Sequence, residues 1–92
     1  MSIEFAEVLH DYLYSNRTLD TLKLNWNSLR GAVGEKVIDG LANSYKLKSV
    51  YLNNNLLGVA YEGKEPPICK VAELLQHSKT IETFEISNNF ID

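Results

Sequence analysis

The sequence predicts an α/β fold: a short right-handed solenoid in which three parallel strands form a concave sheet and helices cover the convex side. Two observations predict it. An eleven-residue motif, L-x-x-L-x-L-x-x-N-x-L, occurs at residues 19–29, 47–57 and 81–91, with Val, Ile or Phe at some of the Leu positions. Before each motif, apolar residues recur at three- and four-residue steps, as in an amphipathic helix. Parallel strands joined by helices need right-handed crossovers, and stacked units of this kind curve into a solenoid.

Three helices are predicted, one before each motif. The first covers residues 3–13, and Ser2 precedes it as an N-cap. Its apolar residues are Ile3, Phe5, Ala6, Val8, Leu9, Tyr12 and Leu13. Those of the second are Val33, Val37, Ile38, Leu41 and Ala42. The third follows Pro66 and Pro67, which suit a helix start, and its apolar residues are Ile68, Val71, Ala72, Leu74 and Leu75.

Each motif contributes one short strand, and these strands are centred on residues 22–24, 50–52 and 84–86. Side chains alternate along a strand, so neighbouring positions point to opposite faces of a sheet. Motif positions one, four and six are apolar and are expected to point toward the helices. The residues between them are expected to lie on the concave face.

The motif and its spacing resemble the leucine-rich repeat family over nearly the whole chain. Leu19 and Leu47 are 28 residues apart, and Leu47 and Ile81 are 34 apart. Full helices in repeats of 28 residues resemble the ribonuclease-inhibitor-like subclass, whose members include ribonuclease inhibitor, the Ran GTPase-activating protein, tropomodulin and innate-immune receptor arrays. The resemblance implies that residues 1–92 form a single repeat domain.

The asparagines at motif position nine, Asn27, Asn55 and Asn89, are predicted to be structural rather than catalytic. The chain turns there without regular strand pairing, so buried backbone groups need other partners. An asparagine amide supplies two donors and an acceptor. We expect stacked copies to form a ladder along the sheet.

A partner-binding role is predicted for the concave face, where the motif places Trp26 and Tyr51. Exposed Trp and Tyr are enriched at binding hot spots, and adjacent strands are about 4.8 Å apart, so the two rings could be neighbours. The alternative is that Trp26 folds back and packs on the adjoining loop. The expected contact residues are Trp26, Tyr51, Lys23, Glu85, Asn53, Asn54 and, from a loop, Tyr61.

Composition limits the class of protein. Ninety-two residues allow one small domain, and an apolar fraction of 45% is ordinary for a folded soluble protein. No apolar run approaches the roughly 18 residues of a membrane span, and Glu4 stands where a signal peptide would carry basic residues. The single cysteine, Cys69, suits a reducing compartment. We expect a cytoplasmic protein without a membrane-bound segment.

Catalysis, metal binding and nucleic-acid binding find little support in the sequence. Nine basic and twelve acidic residues give a net charge of −3, and phosphate neutralisation needs a concentrated basic face. Cys69 and His77 lack the further ligands that zinc needs, and Cys69 is expected to be a small buried or rim residue. His10 and Asp11 are expected to be solvated on the first helix. We expect no enzyme activity, no cofactor and no metal, and a protein as the partner.

Two departures from a plain repeat array bear on partners. The extra residues after the second strand, 58–67, are expected to rim the concave face, where inserted loops often bind; the alternative is a neutral surface loop. The third motif has no later helix or strand in the sequence to cover its edge, and unpaired strand edges are templates for pairing. We expect this edge to associate with another chain; the alternative is that Phe90 and Ile91 fold over it as a minimal cap.

Two alternative functions remain open at the level of the sequence. The chain could be a structural fragment, or a capping or self-assembling unit, of a longer repeat array. By analogy with the Ran GTPase-activating protein it could also regulate a GTPase, with Arg30 as the residue to suspect, but a shared fold is a weak guide to function.

Overall fold

The computed structural model describes residues 2–44 and 46–90. Helices and strands alternate in the order α-β-α-β-α-β, which confirms the predicted α/β class with a three-stranded parallel sheet. The elements are α1 (Ile3–Ser15), β1 (Thr21–Lys23), α2 (Gly31–Ala42), β2 (Ser49–Tyr51), a 3₁₀ helix (Pro67–Lys70), α3 (Val71–His77) and β3 (Thr83–Glu85). We call each helix together with the motif that follows it a unit. Ile91, the last position of the third motif, lies outside the described residues.

Residues at the same motif position are neighbours across the sheet. The strand order is β1-β2-β3, and both strand pairs are parallel. Lys23, Tyr51 and Glu85, all at motif position five, are successive partners in the register. Each row of three residues across the sheet therefore holds one motif position.

The core lies between the helices and one face of the sheet, and it is deepest in the second unit. Val50 and Leu52 of the second motif are fully buried. Leu24 and Ile86, the counterparts of Leu52 in the outer motifs, are only partly buried. The difference arises because β2 has a strand on both sides, whereas β1 and β3 are the edges of the sheet.

The start and the end of α1 are fixed by side-chain hydrogen bonds. The Ser2 hydroxyl accepts the N–H of Phe5 at 3.2 Å, which confirms the predicted N-cap. Beyond the helix, Asn16 Oδ1 accepts the N–H of Leu19 at 2.7 Å. This bond joins the end of the helix to the first residue of the motif.

Only part of the apolar pattern of α1 faces the core. Ala6 and Leu13 are buried, whereas Phe5, Val8 and Tyr12 are 56%, 66% and 49% exposed. The apolar pattern of the first helix therefore includes three residues that do not reach the core. α2 packs along one side of α1, and these three residues lie on its uncovered side.

His10 also departs from the expectation, because it lies at the contact between α1 and α2 rather than in solvent. Its side chain is 23% exposed, whereas that of Asp11 beside it is 85% exposed, as predicted. A Cβ atom placed on Gly40 of α2 would lie 3.0 Å from His10 Cα. The absence of a side chain at Gly40 thus lets the two helices approach closely.

The third helix is shorter than the sequence pattern suggests. The segment after Pro66 begins as a 3₁₀ turn, in which the N–H of Cys69 donates to the Pro66 carbonyl at 3.0 Å. Regular α-helix starts only at Val71. Ala72 and Leu75, which were expected on the apolar face, are exposed.

Candidate functional site

The predicted contact residues at motif position five form a charged and aromatic row across the sheet. Lys23 and Glu85 are exposed on the two outer strands, and Tyr51 lies half-buried between them. The Lys23 ammonium nitrogen is 5.6 Å from the centre of the Tyr51 ring, within the range of a cation–π contact. We call the sheet face that carries this row the open face. It offers a positive and a negative group on either side of an aromatic ring.

Motif position seven holds a ladder of polar side chains that the sequence reasoning did not identify. Asn25 Oδ1 accepts the N–H of Asn53 at 2.7 Å, and Asn53 Oδ1 accepts the N–H of Ser87 at the same distance. Asn53 Nδ2 donates to the Glu85 carboxylate at 3.0 Å. The Asn53 side chain, predicted as a partner contact, is therefore also a structural link between units. A signal for it was present, since position seven is Asn, Asn and Ser in the three motifs.

Motif position eight requires a left-handed backbone in every unit. Trp26, Asn54 and Asn88 have φ values of 62°, 61° and 58°. Asparagine tolerates this conformation, whereas a bulky side chain such as Trp is an outlier there. Asn88 Nδ2 also donates to Asn54 Oδ1 at 3.0 Å. Trp26 occupies a backbone position to which the other two units assign asparagine.

Trp26 is exposed at one end of the open face. Its exposed fraction is 77%, the largest among the large hydrophobic residues that the structure describes, and that of Phe90 is 68%. The two aromatic residues line one shallow depression with Leu56 and with the amides of Asn54 and Asn88, and the residues lining it are uncharged. Trp26 therefore lies beyond the end of β1 and borders the depression with Asn54, whereas Tyr51 shares its row with the two charged residues.

The asparagine at position nine of the second motif makes the contacts expected of a ladder. Asn55 is 2% exposed. Its Oδ1 accepts the N–H groups of Asn27 and Leu29 at 2.8 and 3.1 Å, and its Nδ2 donates to the carbonyls of Leu24 and Leu52 at 2.9 and 3.0 Å. One side chain therefore satisfies backbone groups of both its own unit and the preceding one.

The same pattern recurs in the third unit and is incomplete in the first. Asn89 is 1% exposed, accepts the N–H of Leu57 at 3.2 Å and donates to the Leu52 carbonyl at 2.8 Å. Asn27 is only half-buried, and its amide donates to the Asn25 carbonyl within its own unit at 3.1 Å. The difference follows from position, because no unit precedes the first among the described residues.

Tyr61, the predicted contact from the inserted loop, packs against the start of α2. A Cβ atom on Gly31 would lie 3.4 Å from the Tyr61 ring, and the Lys64 ammonium nitrogen is 5.7 Å from the ring centre. A hydrogen bond to the Glu35 carboxylate, followed by desolvation, raises the pKa of Tyr61 to about 12. The ring borders the depression beside Arg30.

In the part of the chain that the structure describes, no three His, Cys, Asp or Glu side chains are grouped so that they could hold a metal ion. Cys69 is a free, exposed thiol rather than a buried or rim residue. No helix within residues 2–44 and 46–90 is long and apolar enough to cross a membrane.

Comparisons with known proteins supply no relative from which a role could be transferred. No protein-family model, curated protein or solved structure matches the chain. A function must therefore be inferred from the register of the units and from the chemistry of the open face.

Proposed function

We propose that the chain is a leucine-rich repeat domain, similar to the ribonuclease-inhibitor-like subclass, and that it binds a protein partner on the concave face of its solenoid without catalysis. Three motifs paired position by position, with a helix before each, support the family assignment. The open face would be the concave one. We place the protein in the cytoplasm, because its single cysteine is a free thiol.

Trp26 is the observation that carries the binding role. A non-glycine residue in the left-handed region costs about 1–2 kcal/mol, and Trp26 has a φ of 62° while remaining 77% exposed. The left-handed turn itself belongs to the repeat, since Asn54 and Asn88 adopt it too and the Trp26 N–H donates to the Asn53 carbonyl at 3.1 Å. What the repeat does not explain is a large apolar side chain left exposed at this position. Exposed Trp is among the residues most enriched at binding hot spots.

The surroundings of Trp26 favour a protein surface as the ligand. Phe90 and Leu56 extend the apolar contact, and the amides of Asn54 and Asn88 add hydrogen-bonding groups. Farther along the face, Lys23 and Glu85 lie on opposite sides of Tyr51. An apolar anchor beside polar and oppositely charged groups is the usual composition of a protein interface, with an apolar centre and a polar rim.

The test is affinity capture from the source cells with the immobilised domain, comparing wild type with Trp26→Asn. Asparagine already occupies this backbone position in the other two units, so this variant should fold. Tyr14→Gln is the matched control, since it removes an exposed aromatic residue from α1. We expect Trp26→Asn to lose captured proteins that wild type and Tyr14→Gln both retain. Equal capture by all three would contradict the proposal.

A further inference from the structure

We propose that the two ends of the stack are complementary and that copies of this chain associate head to tail, with α1 of one copy packed on α3 of the next. The proposal does not depend on the concave-face ligand, because the end surfaces differ from the open face. It rests on comparing residues at equal distances before each motif.

The end formed by the third unit exposes a residue that is buried in the other two units. Leu13, Leu41 and Leu75 each lie six residues before a motif. The first two are 1% and 0% exposed, whereas Leu75 is 50% exposed. Leu13 Cδ1 lies 3.4 Å from the position that a Cβ of Gly40 on α2 would occupy, so the following unit covers it. Leu75 has the same place in its unit, but among the described residues no following unit packs against it.

The end formed by the first unit exposes the opposite half of the contact. Tyr12 lies seven residues before its motif and is 49% exposed, whereas its counterparts Gly40 and Leu74 are both buried. Phe5, at 56% exposure, continues the same stripe at helical spacing, and its counterparts Val33 and Pro67 are half-buried and buried. In the second and third units this side of the helix packs on the preceding unit. In the first unit it is bare among the described residues.

The two ends also carry complementary hydrogen-bonding groups: an amide donor at the first unit and a carbonyl acceptor at the third. Within the chain, each position-nine asparagine donates to a carbonyl of the unit before it, as Asn55 does to Leu24 and Asn89 to Leu52. Asn27 carries the same amide at the open edge of β1. At the edge of β3, the Ile86 carbonyl stands in the place of those of Leu24 and Leu52. Asn27 of one copy can therefore donate to Ile86 of another.

A second copy is the occupant that these observations favour. The two ends carry opposite halves of the contacts that join adjacent units inside the chain, so a second copy can cover both with contacts of the same kind. Such a contact is heterologous, so it does not close in a dimer and continues to longer assemblies. The open face remains free along the assembly.

The experiment uses sedimentation velocity of wild type and of two charge variants, Phe5→Lys for the first-unit end and Leu75→Lys for the third-unit end. Both sites are at least half exposed, and both changes add the same charge. Wild type should grow beyond a dimer as its concentration rises. Each variant alone should stay monomeric, and an equimolar mixture should form a dimer, because each supplies the end that the other lacks.

Other outcomes overturn the proposal. A wild type that remains monomeric at millimolar concentration rules out association, and a mixture that stays monomeric rules out the head-to-tail mode. If only Leu75→Lys prevents association, the contact is a symmetric one through a single end. Circular dichroism verifies folding, and Ala72→Lys, at an exposed site on α3, replaces Leu75→Lys if that variant does not fold. Trp26→Asn should self-associate as wild type does, which separates this test from that of ligand binding.

Discussion

Replacing Asn55 by Leu tests whether the position-nine asparagines hold the units together. The change removes an acceptor from the N–H groups of Asn27 and Leu29 and a donor from the Leu24 carbonyl. The Leu52 and Asn53 carbonyls, which Asn55 Nδ2 also reaches, keep other donors: Asn89 Nδ2 at 2.8 Å and the Trp26 N–H at 3.1 Å. Two N–H groups and the Leu24 carbonyl therefore lose the partner that Asn55 supplies.

The cost depends on how far water can reach these three groups. A buried donor left unsatisfied costs about 1–3 kcal/mol, and the bond to the Leu29 N–H is fully buried. The bonds to Asn27 and Leu24 are only partly buried, so water can replace them in part. We expect Asn55→Leu to lower the free energy of unfolding by about 3 kcal/mol, a large share of the roughly 5–15 kcal/mol typical of a domain.

Asn27→Leu is the matched control, because it makes the same substitution at the same motif position. Asn27 donates one side-chain bond, to the Asn25 carbonyl in its own unit, and is half-buried. Its backbone N–H still donates to Asn55 in the variant, so the expected loss is below about 1 kcal/mol. Urea denaturation followed by circular dichroism measures both values. Equal losses in the two variants would refute the assignment of the ladder.

Three further predictions concern single sites. The fluorescence emission maximum of Trp26, the only Trp, should lie close to that of the unfolded chain, because the side chain is 77% exposed. Iodide should quench this fluorescence. A blue-shifted maximum without quenching would remove Trp26 from the proposed interface. Gly58→Ala should destabilise the fold by about 1–3 kcal/mol in urea melts, because an added Cβ would overlap the Asn89 carbonyl and overpacking has costs of this size. Unchanged stability would contradict the close approach of Gly58 to Asn89. The pKa of Tyr61 is raised to about 12 from 10.0, so its contribution to stability should be complete below pH 10 and lost as the pH rises through about 12. In absorbance titrations Glu35→Gln should lower that pKa, and an unchanged value would exclude the Glu35 bond as its cause.

The order of elements was predictable because it depends on periodicity. Strand positions recur within each motif and apolar residues recur at helical steps, so the sequence alone places Leu22, Val50 and Phe84 on three successive strands. Family membership, the solenoid and protein binding remain predictions, because no known protein matches the chain.

Other features depend on tertiary context that periodicity does not contain. Periodicity marks Phe5 and Leu13 alike as apolar, but α2 covers only the side of α1 that carries Leu13. The links that Asn53 makes between units were missed for a similar reason. Alternation along a strand predicts which face of the sheet a side chain lies on, but it does not predict which backbone group that side chain contacts. The contact between Tyr61 and Glu35 joins a loop to a helix, and no spacing rule connects them.

The asparagine ladders also have a kinetic consequence. The side-chain hydrogen bonds between units join residues that are 26 to 37 positions apart, such as Leu29 with Asn55 and Leu52 with Asn89. Each therefore closes a loop of about one unit, and the entropy of loop closure rises only slowly with loop length. The second unit is bonded to both the first and the third. Once it has folded together with one of these neighbours, the other can add to the strand edge that is already formed. Folding would then spread outward from the middle of the chain, with a rate set by a single closure between adjacent units rather than by an encounter between its ends.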